Sequence, residues 1–293
     1  MAGETAFFVQ FPHPGGEHNP RTEDMPWNTG DHRRKFLVTY GRYLDGDRMR
    51  EGELVFWGEW EPPSRVERCW RASGQLPQAL HRPYWVQRNT SCFRQNTDPW
   101  VFGDRMIYSN CKQLTPRLRP NSMQHLIRGS VICFGSTVDR KFCVDTVFVV
   151  ASAEPWVPAE AAHLDAHDAF KTCTAGSIVT KKGDAHLPLT LFRGATVDDR
   201  VEGMFSFVPA RPADGDGPRF ARPQIDLPEL INPSNQQSTW GSRRPLTMHR
   251  VRQAWEEVRR QVVDAGCVLA VQLETPRLET DKVVVPESSR QHR

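Results

Sequence analysis

Apolar residues in the first half of the chain recur with a period of two, in short runs closed by glycine, proline or aspartate. That is the pattern of strands with opposed faces rather than of helices. The run Ala6-Phe7-Phe8-Val9-Gln10-Phe11 predicts the first strand, and the Pro- and Gly-rich stretch from Pro12 to Arg34 predicts a long loop. Lys35–Tyr40 and Glu53–Trp60 predict two more strands, the second ended by Pro62-Pro63. A Gly103-Asp104 turn feeds Arg105–Tyr108, and Gly129-Ser130 feeds Val131–Ser136. The polar residues 137–141 then turn the chain into Phe142–Val150, which predicts a β-hairpin.

Helical signals come later. Pro158 followed by Ala159–Phe170 predicts a short connecting helix with proline in its first turn. Strand-like pieces return at 177–180, 187–196 and 203–210, followed by an irregular stretch to 245. Thr247 is the expected N-cap of the best helix, with Val251, Ala254, Trp255, Val258 and Val262 at helical spacing and Gly266 as its stop. Cys267–Glu274 predicts a strand covered by that helix. The pattern is that of an α+β, mainly β fold, with a strand-rich region over 1–155, a mixed α/β region over 156–285 and a fraying tail over 286–293.

Composition adds limits rather than a function. The 293 residues are 38% hydrophobic and 25% charged with a mean hydropathy of −0.57, a globular balance. No apolar run approaches the ~20 residues of a membrane-spanning helix, and the opening residues lack the basic and long apolar regions of a secretory leader, so no membrane partner and a cytoplasmic location are expected. A net charge of +3 permits a polyanionic partner without demanding one. The seven cysteines form no CxxC pair and are expected as reduced thiols. There is no Gly-rich phosphate loop, dinucleotide fingerprint, HExxH or nucleophile elbow, and neither a cofactor nor a metal is expected. Nine tryptophans, most of them before residue 101, are the unusual feature.

The segments VFGDRMIYSNC and LIRGSVICFGS, followed by FCVDTVFVV, resemble the strand grammar of the PUA-like superfamily over about residues 36–150. The ASCH, EVE and YTH branches of that superfamily are small β-barrels associated with nucleic acids. The resemblance implies a barrel that pockets one flipped or unpaired nucleobase, in a protein linked to DNA or RNA modification or to defence. It points to Trp57, Trp60, Trp85, Trp100, Asn110 and Ser136 as the pocket. The residues themselves support part of this reading. On a strand Trp57 and Glu59 share one face and Phe56, Gly58 and Trp60 the other, so one face can be core and one can be site. Rings stack on bases, Glu59 can accept from the edge of a guanine-like base, and Asn110 can read an edge, while Arg88 and Lys112 can neutralise phosphate. The competing use of each indole is a place in the core.

Other constellations give rival readings. An enzyme acting on the held base would use Glu59 with a cysteine, for which Cys111 and Cys92 have polar neighbours. Arg193, Ser238-Thr239 and Glu274 fall in an order that resembles ADP-ribosyltransferases, which implies phosphate binding by Arg193 and oxocarbenium stabilisation by Glu274. His13, Glu17, His18 and His32 cluster around the long loop, but Pro14-Gly15-Gly16 excludes helical metal-site spacing, and an ordered loop is the expected use. His163 and His167 fall four apart on the expected helix. The proline-rich segment 209–245 could dock a partner protein.

Overall fold

The structure, a computed structural model, describes residues 4–13, 24–25, 34–69, 79–87, 97–178, 184–213, 220–236 and 238–280. Its strands are β1 (Thr5–Ala6), β2 (Phe8–Pro12), β3 (Arg34–Asp45), β4 (Arg48–Glu59), β5 (Ser64–Cys69), β6 (Ala79–Trp85), β7 (Ile107–Tyr108), β8 (Val131–Val138), β9 (Lys141–Trp156), β10 (Leu189–Gly194), β11 (Val208–Pro212), β12 (Gln224–Ile225), β13 (Leu246–Thr247), β14 (Val268–Leu273) and β15 (Arg277–Leu278). The helices α1 (Asp168–Phe170), α2 (Gly176–Ile178) and α3 (Met248–Asp264) accompany several 3₁₀ turns.

Among the described residues β2, β8, β9, β10 and β7 form one sheet, which β12 joins through β9. A second sheet runs β14-β11-β4-β3-β6-β15, with β5 on β6 and β14 returning to pair with the far half of β3. The fold is mainly β with few helices, as the periodicity predicts. The self-contained barrel expected over 36–150 is replaced by these two sheets, because strands before residue 150 are divided between them and both are completed by strands after residue 156. The seam expected at 155/156 falls where β9 is hydrogen-bonded to β10, through pairs such as Trp156 with Leu189.

Period-two alternation puts core on both faces of the central strands. Leu54 and Phe56 of β4, Leu37 of β3, Ile132 and Phe134 of β8 and Phe148 of β9 join one cluster. Their neighbours Val55, Trp57, Phe36, Cys133 and Val147 join another, closed by α3. Thr247 caps α3 by accepting from the Arg250 N–H, and the five apolar positions read from the sequence are its buried face. Burying each of those side chains is worth roughly 1.5–3 kcal/mol, so packing rather than propensity holds the helix.

The helix expected over 158–170 does not form as one element. A 3₁₀ turn over Pro158–His163 ends at extended Leu164, and His167 becomes the N-cap of α1 by accepting from Ala169 N through Nδ1 at 3.0 Å. A side chain that satisfies a local backbone donor competes with helix propagation. His163 and His167 therefore share no helical face. The described part of 209–245 is built into the body: β11 pairs with β4 and β14, β12 with β9, and Phe220, Ile225 and Ile231 are buried. No described helix is long and apolar enough to cross a membrane.

Candidate functional site

The C-terminal ends of β2 and β4, the C-terminal half of β8 and the first residue of β3 bring charged side chains into the interior. Register pairs Arg34 with Glu59 across the β3–β4 hairpin, and the Arg34 guanidinium donates to the Glu59 carboxylate. His13, just beyond β2, places Nδ1 3.4 Å from the same carboxylate oxygen and stacks on Phe134. On β9, Thr146 opposes Phe134 while Val144 opposes Gly135, so Asp145 is the extra residue of a β-bulge. Bulges re-aim a side chain out of the pleat. A Cβ on Gly135 would stand 2.1 Å from the Cys143 carbonyl oxygen, so the bulge needs glycine opposite it.

Asp145 Oδ1 accepts from Arg222 Nε at 2.9 Å, and Arg222 also donates to Ser136 Oγ at 2.6 Å. The Arg222 guanidinium lies 5.1 Å above the Trp57 ring, whose edge meets Phe36. Arg34 and Glu59 both act electrostatically on Asp145, which joins the two ion pairs into one cluster. Burial pushes the Asp145 carboxyl well up, with Arg34 opposing the shift, and lowers the Arg222 guanidinium to about 9.

Four buried polar atoms of this cluster make no hydrogen bond: Arg34 Nε, Trp57 Nε1, Asp145 Oδ2 and Arg222 Nη1. Arg34, Trp57 and Asp145 are 3%, 6% and 5% exposed. Leaving a buried donor or acceptor unsatisfied costs about 1–3 kcal/mol each, so a partner that reached these atoms would recover that cost.

The structure thus gathers Trp57, Glu59 and Ser136 of the expected site and adds His13, Arg34, Asp145 and Arg222. Asp145 had a signal in the sequence, as the one acid inside the apolar run FCVDTVFVV. Arg222 had none, because it arrives from the irregular proline-rich stretch. Lys112 stands beside the cluster: its ammonium donates to the Pro12 carbonyl, lies 4.7 Å from the Phe11 ring centre and feels Arg34, and burial lowers it to about 8.

The remaining indoles are core. Trp60 and Trp100 are 0% and 1% exposed and pack edge-on around Phe102, with Trp60 Nε1 donating to the Pro63 carbonyl at 2.8 Å. Trp85 on β6 is buried in the same cluster. Protein rings pack on Trp60 and Trp100, which removes the stacking role expected of them, and Trp85 is buried at 5% exposure with its Nε1 unpartnered.

Asn110 and Cys111 also serve the scaffold. The Asp98 carboxylate accepts from the backbone N–H groups of Ser109, Asn110 and Cys111 at 2.9, 3.0 and 2.7 Å. Burial nevertheless lifts Asp98 to about 6. Desolvation and the carboxylates of Asp98, Glu59 and Glu61 push the Cys111 thiol well up, so it is no thiolate nucleophile. Arg88, Cys92, Glu17, His18 and His32 lie outside the described residues. Among the described residues no cluster of three or more His, Cys, Asp or Glu could hold a metal ion.

The transferase-like series is dispersed. Arg193 on β10 pairs with Glu154 and the Asp165 carbonyl, Glu274 follows β14 and pairs with Arg277, and Ser238 and Thr239 line a separate hollow beside Lys112. Comparison with protein-family models, curated proteins and solved structures gives no match for this chain.

Proposed function

We propose that this protein is nucleic-acid-associated and holds one nucleobase at the strand-end cluster, with the ring edge received by Trp57 Nε1, Arg34 Nε and Asp145 Oδ2. The observation that carries the reading is that these three atoms, all on deeply buried side chains of one charged cluster, lack partners. Two are N–H donors and one is a carboxyl acceptor; Arg222 Nη1 is a further donor of the cluster that makes no hydrogen bond. The matching edge offers two acceptors and one donor, which is the imide edge of a uracil- or thymine-type ring, modified or not. In a low-dielectric interior an unmatched acceptor and unmatched N–H donors favour an edge that complements them.

Ser136, Glu59 and His13 hold the reading groups in place: Ser136 and Asp145 fix Arg222, while Glu59 and His13 fix Arg34. The PUA-like resemblance lies in the strand segments and not in a closed barrel, and it is the ground on which the proposal extends to a role in base modification or defence. Calorimetric titration with uridine, thymidine, guanosine and adenosine tests it. Uridine or thymidine should bind best, and Asp145→Asn should weaken that binding at least tenfold, about 1.4 kcal/mol, in a protein whose circular dichroism is unchanged. Equal or absent binding of all four nucleosides would overturn the assignment.

A further inference from the structure

Next to the cluster, on the other side of Lys112, is an open hollow of about 730 Å³. Among the described residues its lining includes three cations, Lys112, Arg243 and Arg244, and no carboxylate. Hydroxyl groups face it from several elements: Ser122 Oγ and Ser242 Oγ share a 2.8 Å hydrogen bond, and Thr239 Oγ1 lies 3.3 Å from Ser242. Trp240 is 38% exposed, and is the exposed one among the described tryptophans. The Arg244 guanidinium lies 5.6 Å over its ring.

This wall is built, not incidental. Trp240 forms a bridge to Gln10 on the open edge of β2, with reciprocal backbone hydrogen bonds of 3.0 Å. Gly241 follows with φ +88, where a Cβ would stand 2.1 Å from the Phe8 carbonyl oxygen. The chain therefore runs hard against β2 and turns, presenting Trp240, Arg243 and Arg244 to one space. Lys112 belongs to both places. It lines the hollow and reaches the Pro12 carbonyl, one residue from the His13 that contacts Glu59.

We infer that the hollow binds the phosphodiester backbone of a single-stranded nucleic acid, with Arg243, Arg244 and Lys112 on phosphates and Trp240 stacking a base next to the one held in the cluster. The inference rests on the proposed base-holding function for its register. Its chemistry stands separately: a concavity whose described lining is cationic, with an exposed ring, is what binds single strands with little sequence preference. A single strand rather than a duplex is favoured because a ring can stack only on an unpaired base, and because one hollow of this size takes a nucleotide or two.

The test uses the full chain and a fluorescein-labelled single-stranded oligonucleotide, read by anisotropy across a series of salt concentrations. Arg243→Ala/Arg244→Ala should weaken binding by about tenfold or more at low salt and reduce the log–log salt slope by about 1.4, since each of the two neutralised phosphates contributes roughly 0.7. Trp240→Ala should weaken binding about tenfold with little change in slope. A control that removes equal charge on α3, Arg252→Ala/Arg259→Ala, should leave both readings near wild type. Equal losses in the control and the Arg243/Arg244 variant, or an unchanged slope in the latter, would overturn the inference. Nucleoside binding separates the two claims. If nucleosides bind but the oligonucleotide ignores the hollow, the docking inference fails alone; if the oligonucleotide depends on the hollow while no nucleoside binds, the base-holding proposal fails alone.

Discussion

Trp57 near the end of β4 and Trp60 just beyond it point to opposite faces and have opposite fates. Trp60 is sealed among Trp100, Phe102 and other rings, and its N–H is satisfied by a backbone carbonyl. Trp57, three residues earlier and on the other face, lies under a guanidinium, beside a bulged aspartate, with its N–H unsatisfied. Both rings are buried, so burial does not separate them. What separates them is whether every polar atom has a partner. An unpartnered N–H alone does not mark a site, since Trp85 Nε1 in the core cluster also lacks a partner; Trp57 differs in belonging to a charged cluster where Arg34 Nε and Asp145 Oδ2 lack partners as well.

Four changes probe that distinction, from the largest expected effect to the smallest. Trp60→Ala should destabilise the protein by about 3–5 kcal/mol in urea denaturation, because a large cavity opens in a packed aromatic cluster. Asp145→Ala should cost about 3 kcal/mol, since it strands the buried Arg222 charge, and Asp145→Ala/Arg222→Met should recover most of that loss. If the double variant is as unstable as the single one, the pair does not act as a unit.

Asp98, on the core side, gives a pH signature. Its folded value of about 6 lies above the usual carboxylate range, so between about pH 4 and 6 the folded state binds a proton that the unfolded state has lost. Stability from this group is complete below about pH 4 and falls as pH rises through 6, with a slope of up to about 1.4 kcal/mol per unit. Asp98→Asn should flatten that part of the profile in urea melts run between pH 4 and 7. Trp57→Phe should be the mildest for stability, within about 1 kcal/mol, because it removes an N–H that has no partner and keeps an aromatic ring. The same change should lower nucleoside affinity about tenfold. A large stability loss in Trp57→Phe would make it an ordinary core residue like Trp60.

Much of this architecture was legible in the chain. The alternation Val55-Phe56-Trp57-Gly58-Glu59-Trp60 announced two unlike faces of one strand, and Thr247, the five apolar positions and Gly266 defined α3 from cap to stop. Strand order was not legible, because β2 pairs in parallel with β8 across more than a hundred residues and β14 inserts beside β3, and no local signal encodes such contacts. The site was half legible. Trp57, Glu59 and Ser136 sit where alternation places them, but their partners Arg34 and Arg222 come from a strand start and an irregular segment. The aromatic count misled for Trp60, Trp85 and Trp100, since an indole reads the same in a core as in a pocket.

The most direct measurement follows the indole N–H signals of ¹⁵N-labelled protein by NMR during titration with uridine or thymidine. The Trp57 signal, assigned by its disappearance in Trp57→Phe, should move downfield with saturating ligand as its Nε1–H acquires an acceptor, while the Trp60 and Trp100 signals stay in place. Saturation without movement of the Trp57 signal, or movement confined to Trp240, would contradict the account.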